Sequence, residues 1–217
     1  MKARHRFTDR LEAGHLLGKE LARRQWIDPV VLGLARGGMP VAAGVADALG
    51  APLDVMVARK IGAPAQPELA IGAVTADGAH LYDTASLRAF DLEPAQLEDR
   101  RASEAAEALR RQNTYRDGGP LQVRGCDVVL VDDGLATGLT AIAAVRALRH
   151  YDPLSITVAV PVASTSARAR VETEADAVHT LDEPPTFYAV GQWYRDFHQV
   201  EDDEVHAILR RRSGSDV

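Results

Sequence analysis

Two adjacent carboxylates, Asp132 and Asp133, are followed by a stretch rich in glycine and threonine at residues 134–140. Gly134 and Gly138 allow backbone conformations that a Cβ would forbid. Successive N–H groups at the start of a helix bind anions, and a phosphate is their natural ligand. The aspartates would repel that phosphate, so we expect them to face sugar hydroxyls or a divalent metal instead. A phosphate beside a polyol describes a ribose 5-phosphate.

The flanking residues predict the elements that position this stretch. Residues 128–131 are apolar and three of the four are β-branched, which is typical of a strand buried on both faces. Residues 141–148 favour a helix, and ligands of open α/β sheets bind at such strand–helix junctions. The plainer alternative is an ordinary turn with an aspartate cap, which needs one acid and no Thr-Gly-x-Thr sequence. A Walker loop is excluded because no lysine follows Gly138. A Rossmann dinucleotide-binding fingerprint is excluded because no G-x-G-x-x-G follows the first strand.

The run VVLVDDGLATGLT at residues 128–140 resembles the signature of the type I phosphoribosyltransferases, which bind 5-phosphoribosyl 1-pyrophosphate (PRPP). The family pattern is an apolar strand, two acidic residues, a few small residues and a Thr-Gly-x-Thr-like phosphate loop. Gly134 stands where a branched residue is common, and Leu139 where a small one is common. The resemblance implies that the loop binds the 5-phosphate through Gly134, Leu135, Ala136, Thr137, Gly138, Leu139 and Thr140.

A second glycine-rich junction follows the first predicted core strand, where Arg36, Gly37 and Gly38 precede a helix. The glycines allow close approach of the backbone to an anion, and the arginine adds a fork of charged donors. An Arg-Gly-Gly sequence alone is more often only a turn. In phosphoribosyltransferases the corresponding loop holds the pyrophosphate, so the resemblance assigns these three residues to it.

The basic pair Arg59 and Lys60 comes at the predicted end of a second strand, residues 53–58. It is either a solvated strand end or a contact to the same pyrophosphate, and the resemblance favours Lys60 for the contact. Residues 61–68 contain two prolines and a glycine and are predicted to form a loop that opens and closes. Such a lid would keep the transition state from water.

The segment 187–197 holds five of the eleven aromatic residues of the chain. It is either a packed cover over the end of the sheet or a stacking platform for a flat ring. In the family a small hood holds the acceptor base there, and we predict that Trp193 and Tyr194 are the residues that stack on it. Motifs of this chain (Arg-Gly-Gly, Arg-Lys-Ile-Gly-Ala-Pro and Trp-Tyr) are similar to those of a subgroup of the family whose acceptor is undefined.

The alternation of strands and helices predicts an α/β fold, with a mostly parallel twisted sheet flanked by helices and a small C-terminal hood. The 217 residues fit a single domain. We expect the core at about residues 28–182, and the hood at about residues 183–217 together with the N-terminal helix. A highly charged helix is predicted at residues 93–115, and its surface is a candidate for a homodimer contact.

Net charge, apolar runs and cysteine content indicate which classes of partner and which cellular compartment to expect. The net charge of −6 argues against a nucleic-acid partner. No apolar run approaches the roughly 18 residues of a membrane span, and no signal peptide is visible. The single cysteine, Cys126, fits a reducing cytoplasm. The seven histidines are scattered without metal-ligand spacing, which argues against a zinc site.

Together the resemblance implies transfer of a 5-phosphoribosyl group from PRPP to a nitrogenous base, with a purine-like base favoured and pyrophosphate released. Asp132, Asp133, Arg36 and Lys60 are the expected catalytic residues. Mg²⁺ is the expected cofactor, and the two aspartates would engage it through PRPP or water. A PRPP-binding regulator with weak or no transfer remains the alternative, and a general phosphate-binding α/β module is a third hypothesis.

Overall fold

A computed structural model describes residues 6–64, 66–116 and 119–213 of the chain. Its seven strands form one sheet, and they are β1 (Val30–Ala35), β2 (Leu53–Ala63), β3 (Gln66–Thr75), β4 (His80–Tyr82), β5 (Asp127–Val131), β6 (Ser155–Val162) and β7 (Ala177–Asp182). The order across the sheet is β4-β3-β2-β1-β5-β6-β7. The five strands from β2 to β7 in that order run parallel, and β3 and β4 add an antiparallel edge. The predicted mostly parallel sheet is confirmed.

Helices cover both faces of the sheet. They are α1 (Arg10–Leu21), α2 (Gly38–Leu49), α3 (Thr84–Ala89), α4 (Glu98–Arg116), α5 (Leu139–Arg149), α6 (Thr165–Val171) and α7 (Asp202–Ser213), with short 3-10 turns at Pro94–Leu97 and Val190–Trp193. The core on one face includes residues of α5 and α6. The cores on the other face include residues of α1, α2, α4 and α7. None of the helices in the described ranges combines the length and apolar character that crossing a membrane requires.

Strand β5 lies at the centre of the sheet because its side chains are apolar on both sides. Val128 and Leu130 pack in the core with α5, and Val129 and Val131 pack in the core with α1 and α2. All four are fully buried, as a strand covered by helices on both faces requires.

The neighbours β1 and β5 form a topological switch point. After β1 the chain crosses through α2 to β2 on one side, and after β5 it crosses through α5 to β6 on the other side. The two connections leave in opposite directions, so a crevice opens outside the carboxyl ends of β1 and β5. Ligands of open α/β sheets bind in such crevices. Both glycine-rich junctions of the sequence end there.

The segment after β2 differs from the predicted loop. Strand β2 does not end at residue 58 but runs to Ala63, and β3 begins at Gln66, so most of residues 61–68 forms an antiparallel hairpin. The prolines that suggested a loop are accommodated, because Pro64 lies in the turn and Pro67 lies where the pairing register is irregular, a position that proline tolerates. Ala65 lies outside the described residues.

The C-terminal tail covers the sheet end together with the N-terminal segment. Phe7 forms a bridge with Tyr194, and both are buried in a cluster that also involves Phe187, Val190 and Trp193. Helix α7, which we expected in the hood, packs instead with the α2 and α4 layer. Among the described tail residues, Val190 at the start of the 3-10 turn lines the crevice.

Candidate functional site

A cavity of about 300 Å³ occupies the crevice at the switch point. Its wall is formed by the loop after β1, the middle of β2, the loop after β5 and one residue of the tail. These residues are Leu34, Ala35, Arg36, Gly37, Ala58, Lys60, Asp132, Asp133, Gly134, Leu135, Ala136, Thr137, Gly138, Thr140 and Val190. The structure thus brings together most of the residues that the sequence nominated. Leu139 is buried beneath the loop.

The two helices that begin at the cavity differ from others in how they start. Helices α1, α3 and α6 are capped by side-chain oxygens of Asp9, Asp83 and Ser164. Helices α2 and α5 have Gly37 and Gly138 at their N-cap positions, and no side-chain hydrogen bond caps either one within the described residues. The first N–H groups of a helix need partners, so both N-termini are suited to anions.

The carboxylates Asp132 and Asp133 sit between these helix starts. An Asp132 carboxylate oxygen accepts a hydrogen bond of 2.8 Å from the backbone N–H of Asp133. Burial raises the pKa of Asp132 well above its ordinary value, and the charge of Asp133 raises it further. Burial also raises the pKa of Asp133, while Arg10 and Lys60 act to lower that pKa. The fold therefore holds two acids in a place that disfavours their ionised forms.

Arg10 is the residue of the site that sequence reasoning missed. The first helix carries no recognisable motif in the sequence, yet the Arg10 Nε donates a hydrogen bond of 2.9 Å to the Oδ2 of Asp133. The two residues are 123 positions apart in the chain, and no local pattern marks this arginine. Only its place at the first position of an amphipathic helix could have drawn attention to it.

Glycines allow the loop after β1 to approach the carboxylates. A Cβ on Gly37 would lie 2.4 Å from the Oδ2 of Asp133, and a Cβ on Gly38 would lie 2.6 Å from the carbonyl oxygen of Val131. The peptide bond between Ala35 and Arg36 in the same loop is cis. Any larger residue at either glycine would push the two loops apart.

Arg36 reaches the cavity wall, but its guanidinium is held by acids at the start of α7. Its Nη1 lies 3.1 Å from a carboxylate oxygen of Glu201 and 3.4 Å from one of Asp202. The Tyr115 hydroxyl donates a hydrogen bond of 2.6 Å to the same Asp202 oxygen. That hydrogen bond lowers the pKa of Asp202, and the charge of Arg36 contributes to the lowering. These contacts join the loop after β1 to the start of α7.

Arg59 and Lys60 point to opposite faces because β2 continues through both. Lys60 lines the cavity beside Ala58. Its positive charge acts to lower the pKa of Asp132 and the pKa of Asp133. Arg59 forms an ion pair with Glu104 of α4 on the other face. The prediction that Arg59 contacts the same ligand is therefore corrected, since alternate residues of a strand face opposite sides.

The two aromatic residues predicted to stack on a ring are both turned into the tail cluster. The Tyr194 ring is 1% exposed, packs against Phe7 and Phe197, and its hydroxyl donates a hydrogen bond of 2.7 Å to the carbonyl of Asp133. Burial raises the pKa of Tyr194, which keeps this donor protonated. Trp193 stacks on Phe187. The cavity receives Val190 from the tail instead, so the stacking prediction is wrong for the buried Tyr194 ring.

The donor set suits a metal only when a ligand supplies further oxygens. In the part of the chain that the structure describes, no three His, Cys, Asp or Glu side chains are grouped to hold an ion. Two carboxylates do line the cavity. Mg²⁺ is commonly held by one or two carboxylates together with waters and substrate phosphates. Asp132 and Asp133 fit such a shared site.

Comparison with known families gives a match over most of the chain. The model of the family described as the phosphoribosyl transferase domain matches residues 10–198. Two curated proteins from two strains of Mycobacterium tuberculosis, each named "Putative phosphoribosyl transferase", are 43% identical to it over 206 residues. The match covers 94% of this chain and 46% of each relative. The chain thus spans about half the length of these curated relatives.

Solved structures share the fold. The crystal structure of TT1426 from Thermus thermophilus is 43% identical, with a TM-score of 0.79 over 96% of this chain and 100% of that one. A Neisseria gonorrhoeae protein solved with bound ppGpp is 14% identical, with a TM-score of 0.53 over 97% and 98% of the two chains. The second likeness concerns the fold alone.

Proposed function

The chain belongs to the phosphoribosyl transferase family, and from this premise we propose that it transfers the 5-phosphoribosyl group of PRPP to a nitrogenous base. The observation that carries the proposal is the pair of uncapped helix starts, α2 and α5, on either side of two carboxylates in one cavity. Two anion sites flanking a pair of hydrogen-bond acceptors match a ligand that has a phosphate at each end of a sugar.

In this proposal the start of α5 holds the 5-phosphate and the start of α2 holds the pyrophosphate. The loop residues Thr137 and Thr140 supply hydroxyls beside the first site. Gly37 and Gly38 let the backbone approach the second. Binding energy at the remote 5-phosphate orients the sugar carbon C1, which lowers the entropic part of the barrier.

The reaction breaks the bond between C1 and the pyrophosphate oxygen, forms a bond between C1 and a nitrogen of the base, and releases the proton that the base loses on ribosylation. Positive charge develops at C1, and pyrophosphate leaves with more negative charge. Asp132 and Asp133 would hold the ribose hydroxyls near the positive charge. Lys60 and the α2 N–H groups would stabilise the leaving group. Bound Mg²⁺ would neutralise part of the phosphate charge.

The experiment that tests the proposal measures pyrophosphate release from PRPP and Mg²⁺ with hypoxanthine, guanine, xanthine, adenine, uracil or orotate as acceptor. We expect release with one of the purine bases. PRPP binding is measured in parallel by calorimetry. A protein that neither binds PRPP nor releases pyrophosphate would contradict the proposal.

Lys60 and Arg59 provide a matched pair of variants on one strand. We expect Lys60→Gln to raise the KM for PRPP by ~10-fold, because a cation facing the cavity contributes to binding of a polyanion. Arg59→Gln removes the same charge from the chain but from the opposite face, and its KM should stay at the wild-type value. Steady-state kinetics at constant ionic strength checks both. Equal effects of the two variants would refute the assignment of Lys60.

A PRPP-binding regulator is the second candidate, and the ion pairs of Arg36 favour it. An arginine that is held by Glu201 and Asp202 is less available to a pyrophosphate, which would weaken transfer. The pyrophosphate assay distinguishes the two functions, because a regulator would bind PRPP in calorimetry and release no pyrophosphate with any base.

The ion pairs of Arg36 predict that removing an acid should strengthen PRPP binding, whereas most substitutions in a binding site weaken it. We expect Asp202→Asn to tighten PRPP binding by about 3-fold, because part of the charge that competes for Arg36 is removed and exposed pairs contribute little individually. Calorimetric titration measures the change. Asp203→Asn alters the neighbouring acid, for which no ion pair with Arg36 occurs in the described structure, and serves as the control. Weaker binding by Asp202→Asn would contradict the prediction.

A further inference from the structure

Arg10 makes contacts that join the first helix, the tail and the carboxylate pair. Its side chain is 8% exposed. Its Nε donates to the Oδ2 of Asp133 at 2.9 Å, and its Nη1 donates to the carbonyl of His198 at 2.8 Å. Its guanidinium carbon lies 3.7 Å from the centre of the Phe197 ring. Two hydrogen bonds from different guanidinium nitrogens and contact with an aromatic ring together fix the plane of the guanidinium and its direction.

We infer that Arg10 is a positioning residue for the phosphoribosyl transfer, holding the Asp133 carboxylate in one orientation and offsetting its charge. The inference rests on the proposed function of the cavity. In the proposed function the motif residues that line the cavity contact the ligand, whereas Arg10 would act through Asp133. It would therefore extend the working site to the first helix and to the tail at residues 197–198.

Arg10 fixes the orientation of the Asp133 carboxylate. Arg10 engages the Oδ2 of Asp133, and the Tyr194 hydroxyl holds the carbonyl of the same residue. The side chain of Asp133 is thus fixed from helix α1, and its backbone is fixed from the tail. The carboxylate still lines the cavity. A group held by supporting hydrogen bonds meets a ligand without losing further conformational entropy.

Arg10 also offsets the negative charge of Asp133. The cavity binds a polyanion in our proposal, yet two carboxylates line it. The groups that face Asp133 are Asp132 from its own loop, Lys60 from β2, Arg10 from α1 and the Tyr194 hydroxyl from the tail. Two acids are matched by two cations, so an incoming phosphate meets a balanced cluster. Without Arg10 one acid would be uncompensated, and Coulomb repulsion of PRPP would rise.

Other contacts hold helix α1 in its place in the fold. The effect of Arg10 on the position of Asp133 can therefore be tested without displacing the helix. Asp9 caps the helix. Leu17 and Leu21 are fully buried in the core with α2. Gly14 and Gly18 bring the two helices into close backbone contact, since a Cβ at either would lie within 2.6 Å of α2 atoms. The helix should therefore stay docked when Arg10 is replaced.

The experiment compares Arg10→Gln and Arg10→Lys with the wild type in the pyrophosphate assay and in PRPP calorimetry. We expect Arg10→Gln to raise the KM for PRPP and to lower kcat by ~10- to 100-fold, the scale of a small misplacement of a reacting group. Arg10→Lys should recover the KM, because it restores the charge. It should not recover kcat, because an ammonium cannot reproduce the planar fork.

Arg116→Lys is the matched control. Arg116 is also 8% exposed, and it donates to the Asp54 carboxylate and to the Val55 carbonyl between α4 and β2, away from the cavity. This variant should lose thermal stability with unchanged kcat and KM. Arg10 variants that behave like the control, with lower Tm and wild-type kinetics, would overturn the inference while leaving the proposed function intact. A wild-type protein that fails to bind PRPP would overturn both.

Discussion

Asp133→Asn is expected to lower kcat by about 100-fold or more while Tm stays within a few degrees of the wild-type value. A fixed negative charge near the developing positive charge at C1 contributes most in the transition state, and loss of one such electrostatic group typically costs 10²- to 10³-fold. Pyrophosphate release with the best acceptor measures kcat, and thermal melting measures stability.

The small effect on stability follows from the direction of the pKa shift. Burial raises the pKa of Asp133, so the folded state binds its proton more tightly than the unfolded state does. Above the ordinary pKa of an aspartate, the ionised carboxylate therefore lowers the free energy of unfolding. A neutral amide removes that destabilising contribution. Its oxygen can still accept the hydrogen bond from Arg10, which offsets the loss of the ion pair.

Asp127→Asn is the control for this prediction, because Asp127 lies at the opposite end of the same strand. Its carboxylate accepts hydrogen bonds from the backbone N–H of Ile27 and the hydroxyl of Ser155, at 2.7 Å each. We expect lower Tm with normal kcat there, the reverse of Asp133→Asn. An unchanged kcat in Asp133→Asn with a wild-type melting curve would remove Asp133 from the mechanism.

The part of the site that the sequence predicted is the part that is continuous in the chain. Strand β5, the two aspartates, the loop and the start of α5 form one local unit, whose residue types determine its conformation. The second glycine-rich junction has the same property. Their meeting at one cavity followed from the parallel sheet, because carboxyl ends of neighbouring parallel strands lie at one edge.

Contacts between distant segments were not predictable in the same way. The ion pair between Arg10 and Asp133 joins the first helix to the loop after the fifth strand, and nothing in either segment specifies the other. The side of the sheet that Lys60 faces depended on the true length of β2, which was obscured by Pro64 in the following turn and Pro67 in β3. The aromatic tail was ambiguous because burial of Tyr194 depends on the N-terminal Phe7, which pairs with it.

Gly38→Ala should affect the fold and the site together, because the glycine lies where two loops meet. A Cβ there would be 2.6 Å from the carbonyl oxygen of Val131 and 2.9 Å from the Cα of Asp132. Both are backbone atoms at the centre of the sheet, so neither can rotate away as a side chain would. The start of α2 would have to move outwards, and its N–H groups would move with it.

We expect this variant to be about 2 kcal/mol less stable, a typical cost of overpacking that is only partly offset by the better helix propensity of alanine. For a chain of this size that corresponds to a fall in Tm of about 4–8 °C. PRPP affinity should fall as well, because displaced helix N–H groups no longer meet the pyrophosphate. Gly119→Ala is the control, since its nearest contact would be an ordinary 3.6 Å. Wild-type affinity and Tm in Gly38→Ala would show that the close approach of these loops matters to neither fold nor binding.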